Sequence, residues 1–277
     1  MRTFAAVLRS SQRQRYCKMK KISLKPKEKE YLFLDADNVT PDNFAGKTLE
    51  EIRATEIYEG NRTYALGDYF DVTGESDLDP NEIGIVINGS VPKVKYIGMR
   101  MSAGKILVKG SVGSYVGGWM SGGWIKVNGD AGVYAGISMQ GGELIIDGNA
   151  GDYLGANYRG DWRGMKGGKI VVGGNAGSDI GEFMLGGEIV VKGNVELQAG
   201  IHANGGKIIV EGDAESRVGA QMTKGEIVVL GKIGYWLPGF IYQKDDQLEY
   251  DGTMYNVKVY QGDRGDGGKG VLYYAGA

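Results

Sequence analysis

The 277-residue chain offers few residues from which chemistry could be built: one histidine, one cysteine and several glycine-rich turns. A zinc site needs several nitrogen, sulfur or carboxylate ligands, and a nucleophilic triad needs a base beside its nucleophile. His202 has neither in sequence reach. It falls at a corner where the other repeats carry Met or a small residue, and it reads as a structural or contact residue. Cys17, being single, excludes an internal disulfide and an all-cysteine metal or iron–sulfur site. The run GDRGDGGKG (262–270) invites a phosphate-loop reading, which fails. Asp263 stands where the first glycine is needed, and Lys269 is followed by Gly270 rather than Ser or Thr. Asp130, Asn149, Asn175, Asn194 and Asp213 recur as a ladder of turn residues rather than a cation site. Asp147 and Glu211 share an outward column with Lys109, and the mixed charge reads as a solvated face. No catalytic, cofactor-binding or metal-ligating residue is assigned.

These residues are set out by a repeat. Apolar pairs separated by one residue recur at Ile106/Val108, Ile125/Val127, Leu144/Ile146, Ile170/Val172, Ile189/Val191, Ile208/Val210 and Ile227/Val229. Each run closes on a glycine, at 110, 129, 148, 174, 193, 212 and 231, in steps of 19, 19, 26, 19, 19 and 19 residues. Alternation with β-branched residues predicts short strands, and a fixed period of this size predicts stacked units. Gly-x-x-Gly-x-x-x-Gly follows, as in Gly129/Gly132/Gly136, and suits tight corners. Met101, Met120, Met139, Met165, Met184 and Met222 recur near the unit ends and read as an interior column. One unit cannot bury its apolar side alone; stacked units lay Ile on Ile and Met on Met. The expected fold is all-β: a right-handed parallel β-helix of 19-residue coils, the hand following that of parallel crossovers, with non-repeating caps at both ends.

The coil that takes 26 residues instead of 19 carries its excess in GANYRGDWRGM (155–165). An insertion in such a stack must leave it as a loop. Tyr158, Arg159, Asp161, Trp162 and Arg163 are concentrated there, and Tyr, Trp and Arg are the types enriched where proteins meet. These five are the expected partner interface; a loop merely braced by its own Arg–Asp pair is the alternative. No exposed row of aromatics suited to sugars is read elsewhere.

The flanking regions lack the repeat. Residues 1–18 are rich in arginine and free of acids; they read as an extension with little intrinsic structure ahead of Met19, or as an arm that a partner orders. Residues 19–84 form an N-terminal capping region. Within it Thr40-Pro41 and the capping box Thr48–Glu51 predict short helices over 40–54, and 55–75 predict strands turning at Gly60-Asn61. The coils then span 85–234, with a degenerate first coil at 85–104, and 235–277 are capping strands. There, 235–240 plug the open end and a hairpin turns at Asp251-Gly252. The formal net charge of −2 gives no nucleic-acid footprint, and no apolar run approaches the ~18 residues of a membrane span.

The coils resemble, at the level of fold, the C-terminal domain of the glutamate synthase large subunit. A closer resemblance runs from Met19 onward. The segments KISLKPKE, VTPDNFAGKTLEEI, EIYEGNRTYALGDYFDV, GDYLGANYRGDWRGMKGGKI and VYQGDRGDGGKGVLYYAG look like the C subunit of formylmethanofuran dehydrogenase, tungsten or molybdenum type. The resemblance implies a cytoplasmic complex that reversibly reduces CO2 with methanofuran to formylmethanofuran, in methanogenesis or its reversal. It implies catalytic partners: subunits B and D holding a tungsten or molybdenum pterin, A holding a binuclear metal site, and ferredoxin-like subunits holding iron–sulfur clusters. This chain would then be a scaffold without an active site. The similar C subunit of formyltransferase/hydrolase complexes is one alternative. A free-standing carbohydrate-binding or lyase protein is another.

Overall fold

A computed structural model describes residues 19–29 and 31–276. The expectations for 1–18, Cys17 among them, lie outside the described residues. Among the described residues the regular elements are almost all strands, with helical turns of at most five residues.

Strands Lys105–Val108, Trp124–Val127, Glu143–Ile146, Lys169–Val172, Glu188–Val191, Asn204–Val210 and Lys224–Val229 lie on the alternating apolar pairs. Consecutive strands pair in parallel, so that Ile106, Ile125, Leu144, Ile170, Ile189, Ile208 and Ile227 stand in one line. A second parallel line runs through Val91, Val112, Ala131, Ala150, Ala176 and Val195, on to Ala214 and Ile233. Between the two lies a continuous core in which all six methionines of the expected interior column are fully buried. Burying such side chains contributes roughly 1.5–3 kcal/mol each before entropy costs. On the outer face charge alternates from Glu143 through Glu226, with Lys169–Glu188 at 2.9 Å and Lys207–Glu226 at 3.5 Å. A slip of one repeat would set like charges opposite each other, so these pairs favour the observed register.

The turn ladder is hydrogen-bonded throughout. The backbone N–H of Asn149 donates to Asp130 Oδ1 (2.7 Å), that of Asn175 to Asn149 Oδ1 (2.8 Å), and that of Asn194 to Asn175 Oδ1 (2.8 Å). Asp213 and Lys232 extend the series upward, and Asp130 extends it downward to Ser111. Each side chain thus satisfies a turn N–H of the next unit. The corner glycines serve two needs: Gly136 adopts φ +63°, whereas a Cβ on Gly132 would sit 2.8 Å from Ser114 N.

Both ends depart from a purely parallel stack, and the sheets are mixed. Strand Lys20–Pro26 pairs in parallel with Ile83–Ile87, so the stack begins before residue 85, and antiparallel Phe70–Gly74 closes that edge. Thr40 caps the turn Pro41–Phe44, and Thr48 with Glu51 forms the capping box of Leu49–Arg53. Strands Glu56–Glu59 and Arg62–Ala65 pair about the expected turn. The helical turn Leu66–Tyr69 has no counterpart in the sequence expectation; Asp68 holds its start by accepting from the Ala65 N–H at 3.0 Å.

At the other end, Ile241–Tyr250 and Thr253–Gly262 form the hairpin at Asp251-Gly252. Gly270–Tyr274 pairs with the hairpin and, in parallel, with Lys224–Val229. Phe240 is buried against the last coil with Trp236 and Leu237 packed on that core, while Tyr235 is exposed. The hairpin and the strand after it also cover outward residues: Leu248 and Tyr250 of the hairpin and Tyr273 of Gly270–Tyr274 lie over Val190, Ile209 and Val228. Tyr250 donates to Glu211 Oε1 at 2.8 Å, so Glu211 is a docking point for the hairpin rather than part of a solvated face. Burial and that carboxylate push the Tyr250 hydroxyl pKa well above its ordinary value.

Candidate functional site

Two corner positions of the repeat hold non-glycine residues in the left-handed region, where side chains are uncommon. At the first, Tyr96, Tyr115, Tyr134 and Tyr153 take φ of 62° to 66°. Their rings stack face to face at 4.7, 4.9 and 4.7 Å between centroids. This column is not singled out by the sequence reading, and it is not the exposed row of aromatics looked for there. The four tyrosines are half-buried, and burial raises the hydroxyl pKa of Tyr96, Tyr115 and Tyr153. Stacking leaves only the outer faces of the end rings, Tyr96 and Tyr153, uncovered by another tyrosine. Beyond the inserted loop the same position holds Asp179, Gln198 and Arg217, again with left-handed φ.

The second corner carries Arg100, Trp119, Ser138, Phe183, His202 and Gln221. His202 therefore follows aromatic and polar residues, not Met or small ones, and it stacks on Phe183 at 4.5 Å.

The inserted loop leaves from this second corner. Asn157 anchors it: Nδ2 donates to the carbonyls of Tyr158 (3.3 Å) and Asp161, and the Asp161 N–H donates to the Tyr158 carbonyl at 2.8 Å. The chain rejoins the stack where Gly164 N–H donates to Phe183 O (2.9 Å) and Met165 N–H to Gly155 O (3.1 Å). The insertion is absorbed between Gly155 and Met165 without shifting the strands on either side.

Of the five residues expected at an interface, Trp162 is 76% exposed and touches Phe183 edge-on at 5.8 Å. Tyr158 is 51% exposed and leans on Trp119 at 5.7 Å. Arg163 pairs with Asp161 at 2.8 Å, which is the internal brace of the alternative reading, and the pair lowers the Asp161 pKa. Arg159 lies against the Tyr134 hydroxyl, whose hydrogen bond raises the guanidinium pKa further.

Arg159, Asp161 and Trp162 form one wall of a cavity of about 410 Å³; Tyr158 and Arg163 do not line it. The opposite wall comes from Tyr134, Tyr153, Asp179, Glu182 and Phe183, none of them singled out from the sequence. The 19-residue spacing of the four tyrosines was the available signal. Burial raises the Asp179 pKa, with a further rise from Asp152. Burial likewise raises that of Glu182, with a further rise from Asp179. The cavity thus sets aromatic rings around carboxylates that are costly to keep ionised. Among the described residues no three His, Cys, Asp or Glu side chains converge as a metal site requires.

No family model matches the chain. Curated relatives match in segments. The C subunit of the tungsten-containing formylmethanofuran dehydrogenase 2 of Methanococcus maripaludis is 57% identical over 133 residues, 48% of this chain and 47% of the relative. The same-named protein of Methanothermobacter wolfeii is 47% identical over 94 residues, 34% of this chain and 35% of the relative. The C subunit of the molybdenum-containing formylmethanofuran dehydrogenase 1 of Methanosarcina barkeri is 44% identical over 95 residues, 34% of this chain and 32% of the relative. The chain spans between about a third and a half of the length of these curated relatives. A chain of the formyltransferase/hydrolase complex FhcABCD of Methylorubrum extorquens, solved with methylofuran, superposes with a TM-score of 0.82 and 28% identity, covering 92% of this chain and all of that one. The protein is therefore similar, by fold and in sequence segments, to a class of proteins that are chains of multisubunit complexes. Within that class, its named relatives are the C subunits of formylmethanofuran dehydrogenases of both metal types, from methanogenic archaea.

Proposed function

We propose that this chain is the C subunit of a formylmethanofuran dehydrogenase complex, which reversibly reduces CO2 with methanofuran to formylmethanofuran. Its repeats wind as a right-handed parallel β-helix and serve as a rigid scaffold without an active site. The tungsten or molybdenum pterin, the binuclear metal site and the iron–sulfur clusters belong to the A, B, D and ferredoxin-like subunits, in the cytoplasm. No helix among the described residues is long and apolar enough to cross a membrane.

The observation that carries the reading is the loop. A coil that closes in 19 residues has been lengthened to hold Trp162 and Tyr158 out in solvent. Exposing such large apolar surfaces is unfavourable unless a partner covers them. The test is to purify the chain from its native source under mild conditions, identify the copurifying proteins and measure their metals. Tungsten or molybdenum with iron–sulfur proteins is the expected result. A chain that purifies alone, or that binds stoichiometric metal by itself, would overturn the reading.

The structural neighbour from Methylorubrum supports a second reading, the C subunit of a formyltransferase/hydrolase complex. The same purification separates the two, because that reading expects copurifying proteins without tungsten, molybdenum or iron–sulfur clusters.

A further inference from the structure

We propose that the cavity behind the inserted loop is a socket for an arginine side chain of the protein that packs on this face. The proposal rests on the scaffold reading above and adds what the partner must present.

Three observations converge on it. First, Asp179 and Glu182 both line the cavity, both are half-buried, and neither has an ion-pair partner among the described residues. Asp152 lies close enough to repel Asp179, and its own Oδ1 is engaged by the Ser178 N–H at 2.9 Å. A pair of carboxylates withdrawn from water without a counter-ion is unfavourable, and a cation brought into the cavity relieves it. Second, the walls are aromatic: Tyr134, Tyr153, Phe183 and Trp162 surround the acids. Tyr134 is stacked on both faces, so a guanidinium would lie on the face of Tyr153 that no tyrosine covers, while its fork of donors meets carboxylates two at a time, which an ammonium does not do. Third, Asn157 lines the same cavity, is only 8% exposed, and buries its Oδ1 without a hydrogen-bond partner. A buried acceptor left unpaired calls for a donor from outside the chain. Among the described residues, the cation in the cavity wall is Arg159, and it is held at Tyr134 rather than at the acids. The free chain thus presents acceptors and aromatic walls, and the missing complement is a planar cation with several donors.

The test uses the double variant Asp179→Asn with Glu182→Gln, in the isolated chain and in the assembled complex. The substitutions keep shape and remove charge. The isolated variant should melt higher than the parent, because unpaired like charges are gone. The complex should dissociate on dilution at a concentration at least tenfold higher, and the gap between variant and parent should narrow at high salt. This opposite movement of the two readouts separates a socket from a structural role, which would lower both. An unchanged dissociation constant in a complex that still forms overturns the socket and leaves the scaffold reading standing. A chain that assembles with nothing overturns both. A loss of stability in the isolated variant means that Arg159 or another internal cation fills the site, and overturns the socket. Native mass spectrometry of the isolated chain that finds a small bound cation overturns it as well.

Discussion

The position of Ile106 and the position of Tyr96 recur on the same 19-residue beat, yet they behave differently along the molecule. At the first, every coil keeps Ile or Leu, from Ile106 to Ile227, because each residue is fully enclosed by its neighbours above and below. At the second the backbone repeats just as strictly, but the side chain changes from Tyr96, Tyr115, Tyr134 and Tyr153 to Asp179, Gln198 and Arg217. The change falls across the inserted loop. An interior position answers only to packing, whereas a corner that keeps its strained conformation while changing its chemistry answers to something outside the coil. An Ile line fixed by packing thus stands beside a corner whose side chains vary under one backbone conformation.

Substitutions at the two positions should separate cleanly. Ile189→Ala removes part of a fully buried side chain and should destabilise the isolated chain by about 2–5 kcal/mol, read by chemical denaturation. A cost under about 1 kcal/mol would show that the core relaxes and that the Ile line is not its support. Replacing Arg159, Trp162 and Arg163 together with Ala should weaken assembly by about 2–4 kcal/mol. The same triple variant should change the stability of the isolated chain by less than about 0.5 kcal/mol, as surface substitutions do. Normal assembly with an unfolded isolated chain would make the Asp161–Arg163 pair an internal brace and remove the interface. Asn175→Ala breaks one step of the turn ladder and leaves the Asn194 N–H to water, because that residue is exposed. It should cost about 1 kcal/mol by chemical denaturation.

The smallest effect is a pH dependence. Burial, and then Asp152 for Asp179 and Asp179 for Glu182, raises both pKa values above their ordinary 3.8 and 4.5. Between the ordinary and the raised values the folded chain binds more protons than the unfolded one, so this contribution to stability falls as pH rises. Tyr153, itself raised by burial and then by Asp179, Tyr134, Arg159 and Asp161 are the other ionisable groups lining the cavity, with Asp152 near Asp179. Melting of the isolated chain from about pH 4 to about pH 7 should show a component that the Asp179→Asn, Glu182→Gln variant lacks. Identical pH profiles would show that the two carboxylates are solvated.

Much of this architecture was legible in the sequence because it is local and periodic. The strand positions, the methionine column, the turn ladder and the hairpin at Asp251-Gly252 each follow from spacing or turn chemistry. Pairings between distant segments were not. Nothing in KISLKP itself says that it will pair with Ile83–Ile87, because any apolar alternation would serve. The docking of the hairpin had no distinct signal, since this outward position is apolar at Leu107, Ile145 and Val171 as well as at Val190, Ile209 and Val228, which the cap covers. The site was half legible. A break in a period locates an insertion, and its composition raises the expectation of an interaction surface. Where that loop folds back to is a matter of three dimensions, and so Asp179, Glu182 and Phe183 could be found only by seeing what lies beneath it.

The strand Gly270–Tyr274 adds to the sheet the partner that Lys224–Val229 would otherwise lack. During synthesis each coil can lie down on the one before it as soon as it emerges, but every stage leaves the newest strand bare. Residues 270–274 are made some forty residues after the strand they cover, and until then a flat parallel edge is open to any other nascent chain. The tail acts as a bolt shot last. A ribosome stalled between Val229 and Gly270 would release a stack that is well formed and still adhesive, and its characteristic fault would be joining end to end with its own kind.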